Sequence, residues 1–317
     1  MQLMLVFSIA LMAVKFFTWY ITRSNAILTD AFESIVNVVA GTFAMFSMMY
    51  AARPRDEDHP YGHGKIEFVS AGFEGALVFL AGGFIFYRAI VGFYNPTSIQ
   101  KPEAGAYLSA AAGLCNFVMG YFLVRNGRKQ NSSLMVANGK HLISDTISSA
   151  GLVAGMLLIF FTKIGWIDNA LALVLAAYLL YTGYKIVREA LASLLDEQDQ
   201  EKIKQMIRIL NEKRRPQWID IHNLRVLKYG SVLHVDAHIT LPWYMTLEES
   251  HAEVEALERL LQTEMGAEME FFIHADPCLE FSCAICPLEN CAHRKSPMQK
   301  RLDWTEKNML PDKKHSM

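Results

Sequence analysis

Long apolar blocks fill the chain from Met1 to about Leu194, and from Asp196 onward they give way to shorter amphipathic patterns with frequent charge. Six blocks approach the roughly 20 residues that cross a bilayer. They run from Met1 to Tyr20, Ala26 to Ala51, Phe68 to Phe93, Ala104 to Val124, Met135 to Phe161 and Trp166 to Ile186. An even number of spans returns the chain to its starting side. The first block has no basic leader and no small-residue cleavage site, so it reads as a retained helix rather than a signal peptide. It opens without a polar lead, which leaves room for a longer natural N-terminus.

After Asp196 the pattern predicts a helix near Glu201 to Asn211, strands near Ile219 to Leu227 and Val232 to Leu241, a helix from Leu247 to Glu264, and a strand near Met269 to Ala275. Thr246 with Glu249 forms a capping box for the second of these helices. The order α-β-β-α-β predicts a small α+β domain of ferredoxin-like, metallochaperone-like form. The fold class is therefore a polytopic α-helical membrane protein with six transmembrane helices and a C-terminal cytoplasmic α+β domain. The expected divisions are residues 1–194, residues 195–277, and a Cys-rich segment with a flexible tail over 278–317.

The composition of 317 residues, 52% hydrophobic and 20% charged with a formal net charge of -2, averages two unlike halves. Nothing in it suggests a nucleic-acid partner. The distribution of charge says more. Lys and Arg are richer in the links Arg53 to Lys65, Arg125 to Lys129 and Lys185 to Arg188 than in the turns near Arg23, Lys101 and Lys163. By the positive-inside rule both termini are cytoplasmic, in a multi-pass inner (plasma) membrane protein.

Ionisable groups inside the spans point to chemistry. The second span reads SNAILTDAFESIVNVVAG and places Asp30, Glu33 and Asn37 on one face; the fifth reads NGKHLISDTISSAG and places His141 and Asp145 one turn apart. A carboxylate at the bilayer centre costs about 3 kcal/mol, so several together require compensation, which a bound cation and a wet cavity supply. Glu33, Asn37, His141 and Asp145 make a set of three oxygens and one imidazole nitrogen suited to a small divalent ion. The alternative is that they hydrogen-bond between helices as packing glue. Asp30 reads as an entrance or reserve ligand, and Glu74 in the third span as a candidate proton carrier or salt-bridge partner.

These motifs, in this order, resemble the cation diffusion facilitator family, and the resemblance runs to about Cys278. It implies metal ligands at Glu33 with Asn37 and at His141 with Asp145. The first pair departs from the family's DxxxD and HxxxD forms, with an amide at Asn37 and a longer acid at Glu33. Zinc is the commonest family substrate, and an oxygen-rich set with a neutral amide also suits iron(II), cobalt or manganese. The loop RPRDEDHPYGHGKIE aligns Asp56, His59 and His63 with the family's accessory metal site, and Lys65 with Asp196 resembles its charge pair across the dimer. In SVLHVDAHIT, alternation puts His234, Asp236 and His238 opposite the core face, and FFIHADP puts His274 and Asp276 together. The resemblance implies a regulatory metal site at His238, His251, His274 and Asp276, and a homodimer.

Cys278, Cys283, Cys286 and Cys291 follow in a C-x4-C-x2-C-x4-C spacing, with Cys115 alone in the fourth span. A cytoplasmic location disfavours disulfides. The spacing suggests a compact tetrahedral metal knot and echoes the opening of a plant-type iron–sulfur pattern, while its fourth Cys comes too early for either usual form; reduced, solvated thiols are the alternative.

The expected function is efflux of divalent metal by a secondary active transporter, not an enzyme. Zinc, iron(II), cobalt or manganese would be substrate and regulatory ligand, with protons as counter-ion. Its rival is a membrane-anchored metal sensor or store, in which the intramembrane ligand pairs would have no purpose.

Overall fold

The computed structural model describes residues 2–94, 99–129, 133–230, 232–266 and 268–315; inside its helices the side chains of residues 2–5, 127, 133–138 and 141 are not among those described. Two compact units result, one of Met1–Met48 with Val69–Ala190, the other of Met49–Phe68 with Leu191–Met317.

The first unit is built on α1 (Gln2–Thr22), α2 (Asn25–Ala51), α3 (Ile66–Tyr94), α4 (Pro102–Lys129), α5 (Ser133–Thr162) and α6 (Trp166–Leu194). Five long apolar helices and a shorter N-terminal one make six spans, as the hydropathy predicts. Their outward side chains are large and apolar, such as Phe46, Leu80, Phe117, Ile147 and Val174, while Lys15, Asp30, Asn116, Asp145 and Asp168 are buried. A solvent of lipid tails selects this inverted arrangement.

Small residues let the helices touch. A Cβ added at Gly183 in α6 would lie 2.8 Å from the Gly75 carbonyl of α3, and one at Gly139 in α5 would lie 2.8 Å from the Gly120 carbonyl of α4. The N-terminus of α2 is capped from a distant helix. One Asp168 oxygen accepts from Ser24 Oγ at 2.5 Å and the Ala26 N–H at 3.3 Å, and the other from the Asn25 N–H at 2.6 Å. Asp168 thereby satisfies amides that α2 leaves open and complements its dipole, fixing α2 against α6.

The second unit carries α7 (Gln200–Lys213), β1 (Asp220–Tyr229), β2 (Val232–Leu241), α8 (Leu247–Met265) and β3 (Met269–Pro277). The sheet order is β1-β2-β3, with β1 antiparallel and β3 parallel to β2. The apolar alternation works as expected: Leu233, Val235, Ala237 and Ile239 enter a core with Ile203, Met206 and Leu210 of α7 and Leu257 and Leu261 of α8. The Thr246–Glu249 capping box is present, and Gly266, in the left-handed region, closes α8.

The segment beyond Arg294 departs from the flexible tail expected of it. Trp304 and Met309, the latter in the short helix α9 (Glu306–Met309), lie in the domain core. Asn211 brackets the Trp304 backbone, donating to its carbonyl at 2.7 Å and accepting its N–H at 3.0 Å. The Arg214 guanidinium stacks 4.0 Å over the Trp304 ring and donates to the Leu302 carbonyl at 2.7 Å. Burial pulls the Arg214 pKa down to about 10, with Arg301 adding to the effect. Two apolar anchors in a polar stretch are too sparse to produce a periodic signal, which is why composition alone suggests disorder.

Replacing Trp304 with Ala should remove the anchor and leave a cavity, lowering stability by about 3–5 kcal/mol. Denaturant unfolding of the full chain in detergent, with limited proteolysis after residue 294, checks this; unchanged stability and protease resistance would mean that the tail is not anchored there.

Candidate metal centres

In the membrane unit, α1 and α2 bring Lys15 and Asp30 together as a buried ion pair, Nζ to Oδ1 at 2.7 Å. Asp30 is thus already engaged rather than held as an open reserve ligand. Asp30, Glu33 and Asp145 all act electrostatically on Lys15, and Asp145 also acts on Glu33, so the four groups share one region of the bundle. Thr29, Asp30 and Glu33 of α2 line a small cleft with Ser148 and Leu152 of α5. Among the described residues, three carboxylates and one ammonium thus gather in one region of the apolar bundle.

Asn37 follows Glu33 by one turn of α2 and is half-buried. The backbone of α5 places position 141 one turn before Asp145, while the His141 side chain lies outside the described residues. Lys15 was not among the residues that the sequence patterns single out. A lone lysine inside an otherwise apolar helix is the signal that could have found it, since such a charge needs a partner.

The loop between α2 and α3 forms a second cluster. Asp56 Oδ1 meets His59 Nδ1 at 2.9 Å, and Asp56 Oδ2 meets His63 Nε2 at 3.3 Å. The His59 hydrogen bond holds the Asp56 carboxyl below its ordinary pKa. His63 is buried beneath Tyr50, and its Nδ1 has no hydrogen-bond partner, while Asp56 and His59 face outward. The three ligand atoms lie within 4.8 Å of one another, a geometry a small cation can close. Nearby, Lys65 Nζ meets Asp196 Oδ1 at 2.8 Å within the one chain and stands 4.3 Å over the Tyr229 ring.

A third cluster follows from strand register. His222 of β1 pairs with His238 of β2, which pairs with His274 of β3, so the three imidazoles form a row across the sheet. Asp276, two residues beyond His274, reaches His238 Nδ1 at 3.3 Å and His222 Nε2 at 3.5 Å through one oxygen, and His274 Nε2 at 3.6 Å through the other. Ligand atoms of His222, His238 and Asp276 fall within 4.8 Å. His222 Nδ1 faces Asp220 Oδ2 at 3.5 Å, which leaves Nε2 as the nitrogen turned toward the cluster.

Two differences from the sequence reading stand out. His222 joins the cluster, whereas His251 of α8 is exposed and pairs with Glu255 at 3.4 Å, apart from the strand ligands in this chain. The alternation of Ile219 and Ile221 with Asp220 and His222 carries the signal for His222; it reverses at the irregularity between His222 and Arg225, where Asn223 has a φ of 53°. The tail also reaches the cluster. Lys314 Nζ lies 3.3 Å from Asp276 Oδ1, and His315 bonds both Asp220 oxygens. Burial pushes the Asp220 carboxyl up, but bonds from His222 and His315 outweigh it and hold the group well below the usual carboxylate range.

Comparison with known proteins covers nearly the same stretch. Residues 1–195 match the model of the cation efflux transmembrane domain, and residues 195–278 that of the cation efflux protein cytoplasmic domain. The uncharacterized transporter sll1263 of Synechocystis sp. is 33% identical over 251 residues, 79% of this chain and 81% of that one. The cation-efflux pump FieF of Salmonella arizonae is 27% identical over 284 residues, 86% of this chain and 89% of its own.

If the strand cluster binds metal, His222→Ala should weaken its zinc affinity at least about tenfold, the order expected for loss of one imidazole from a site of few ligands. Calorimetric titration of the full chain decides the point. Equal zinc affinity in wild type and His222→Ala would remove His222 from the site.

Proposed function

The chain belongs to the cation efflux, or cation diffusion facilitator, family, and from that premise we propose that it moves divalent transition-metal ions out of the cytoplasm in exchange for protons. Membership makes it a multi-pass membrane transporter of metal cations rather than an enzyme. The finer reading rests on one observation. Lys15, Asp30, Glu33 and Asp145 interact within apolar helices, a gathering of ionisable groups whose carboxylates can exchange protons for a metal cation.

In the proposed cycle, cytoplasmic metal reaches Glu33, Asn37, His141 and Asp145 and displaces their protons. Lys15 stays paired with Asp30, so that pair remains neutral and the incoming cation meets the acids it can balance. A rearrangement then opens the site outward, where protons replace the metal. Imidazole, with an ordinary pKa of about 6.5, exchanges a proton for metal within the physiological range.

Zinc is one candidate substrate, and iron(II), cobalt and manganese also suit the oxygen-rich set with its neutral Asn37 amide. The proposed setting is an inner membrane with both termini cytoplasmic, and the proposed assembly a homodimer, in keeping with the matched cytoplasmic domain. The loop cluster of Asp56, His59 and His63 and the strand cluster of His222, His238, His274 and Asp276 take regulatory metal in this reading. Bound ions there would stabilise the metal-loaded form by mass action.

Transport into proteoliposomes under an imposed pH gradient tests the site, with zinc, iron(II), cobalt and manganese supplied separately. Asp145→Ala should reduce flux to background, and Asn37→Asp should change the order of metal preference. Equal flux in wild type and Asp145→Ala would sink the proposed site, and would leave the family's sensing domain as the metal-handling part.

A further inference from the structure

The four cysteines after β3 converge on a cavity that no other part of the proposed function uses. Cys278, Cys283, Cys286 and Cys291 all line one pocket of about 300 Å³, walled by Trp243 and His293. All four are free thiols. Each sulfur faces a donor: the Trp243 N–H reaches Cys278 Sγ at 3.4 Å, the Lys295 N–H reaches Cys283 Sγ at 3.5 Å, the Leu288 backbone turns to Cys286, and the Tyr244 hydroxyl reaches Cys291 Sγ at 3.6 Å. Donors aimed at every sulfur of a set are the arrangement that stabilises thiolates bound to metal.

The segment is also tied down rather than loose. Arg294 donates to the carbonyls of Cys283, Cys286 and Leu288, drawing the loop around the cavity. Width separates the possible occupants. A single zinc ion with Zn–S bonds of about 2.3 Å draws its sulfurs to roughly 3.8 Å apart and fills the space between them. A cavity of about 300 Å³ lined by all four cysteines is roomier than one ion needs and suits a larger inorganic unit.

We propose that Cys278, Cys283, Cys286 and Cys291 hold an iron–sulfur cluster of the four-iron, four-sulfide class. Three of the four ligands lie beyond the region matched by the family's cytoplasmic domain, so the site is an addition to that domain. Cys278 follows Asp276 of the strand cluster by two residues, so the occupancy of one site bears on the backbone that carries the other. The inference stands on the cysteines alone and does not require the transport reading.

The test is the full-length protein purified without oxygen in detergent, assayed for iron, acid-labile sulfide and zinc, with visible absorption and electron paramagnetic resonance after reduction. About four iron and four sulfide per chain are expected, with Cys283→Ala and Cys291→Ala each losing most of the sulfide and Cys115→Ala retaining it. Zinc titration of the strand cluster in the same variants separates loss of the cluster from loss of the fold. One zinc per chain without sulfide, a disulfide, or four reactive thiols without metal would each overturn the proposal.

Discussion

The ion pair between Lys15 and Asp30 sets the terms for the membrane half of this protein. Two opposite charges withdrawn from water and placed among apolar helices are tolerable because each answers the other at hydrogen-bond distance. Beside that pair, Glu33 and Asp145 act on each other electrostatically, so two further acids share the same region of the bundle. In the proposed cycle, protons occupy these acids in one state and a divalent cation in another. The surrounding structure keeps those acids together: Asp168 anchors the start of α2 to α6, and small residues draw α4 onto α5. Loosening either contact would change how α2 or α5 presents its acid.

The α+β half solves a related problem with strands instead of helices. Register places His222, His238 and His274 in line, and Asp276 touches all three imidazoles, so a single carboxylate organises the row. Lys314 already lends that carboxylate a positive charge, and the His315 ring and backbone N–H bond the Asp220 carboxylate. A metal ion arriving at Asp276 must therefore share or displace the ammonium of the tail. The chain's last described residues thus lie against the candidate ligands of the strand cluster.

Much of this was legible in the sequence because the strongest signals there are periodic. Six spans, the α-β-β-α-β order, the capping box at Thr246 and the alternation along β2 all depend on repeats that solvent imposes on many residues at once. The groups that escaped depend on single, long-range partners. Lys15 is the one charge in α1 and Asp168 stands in the first turn of α6, and their partners lie in distant parts of the chain. His222 was hidden by an irregularity that reverses the alternation of β1 just after it. Trp304 and Met309 are two anchors in a stretch whose average composition is polar. His251 shows the opposite case: the resemblance draws it to the strand cluster, while in the chain itself α8 carries it to an exposed position beside Glu255.

Proton movement during metal flux tests the central claim most directly. Proteoliposomes with a trapped pH-sensitive dye would report internal pH while zinc or iron(II) crosses the membrane, for wild type and for Glu33→Gln. The account predicts a pH change in the sense of protons moving against the metal, and loss of both signals in Glu33→Gln. Metal flux in wild type with no accompanying proton movement would contradict it.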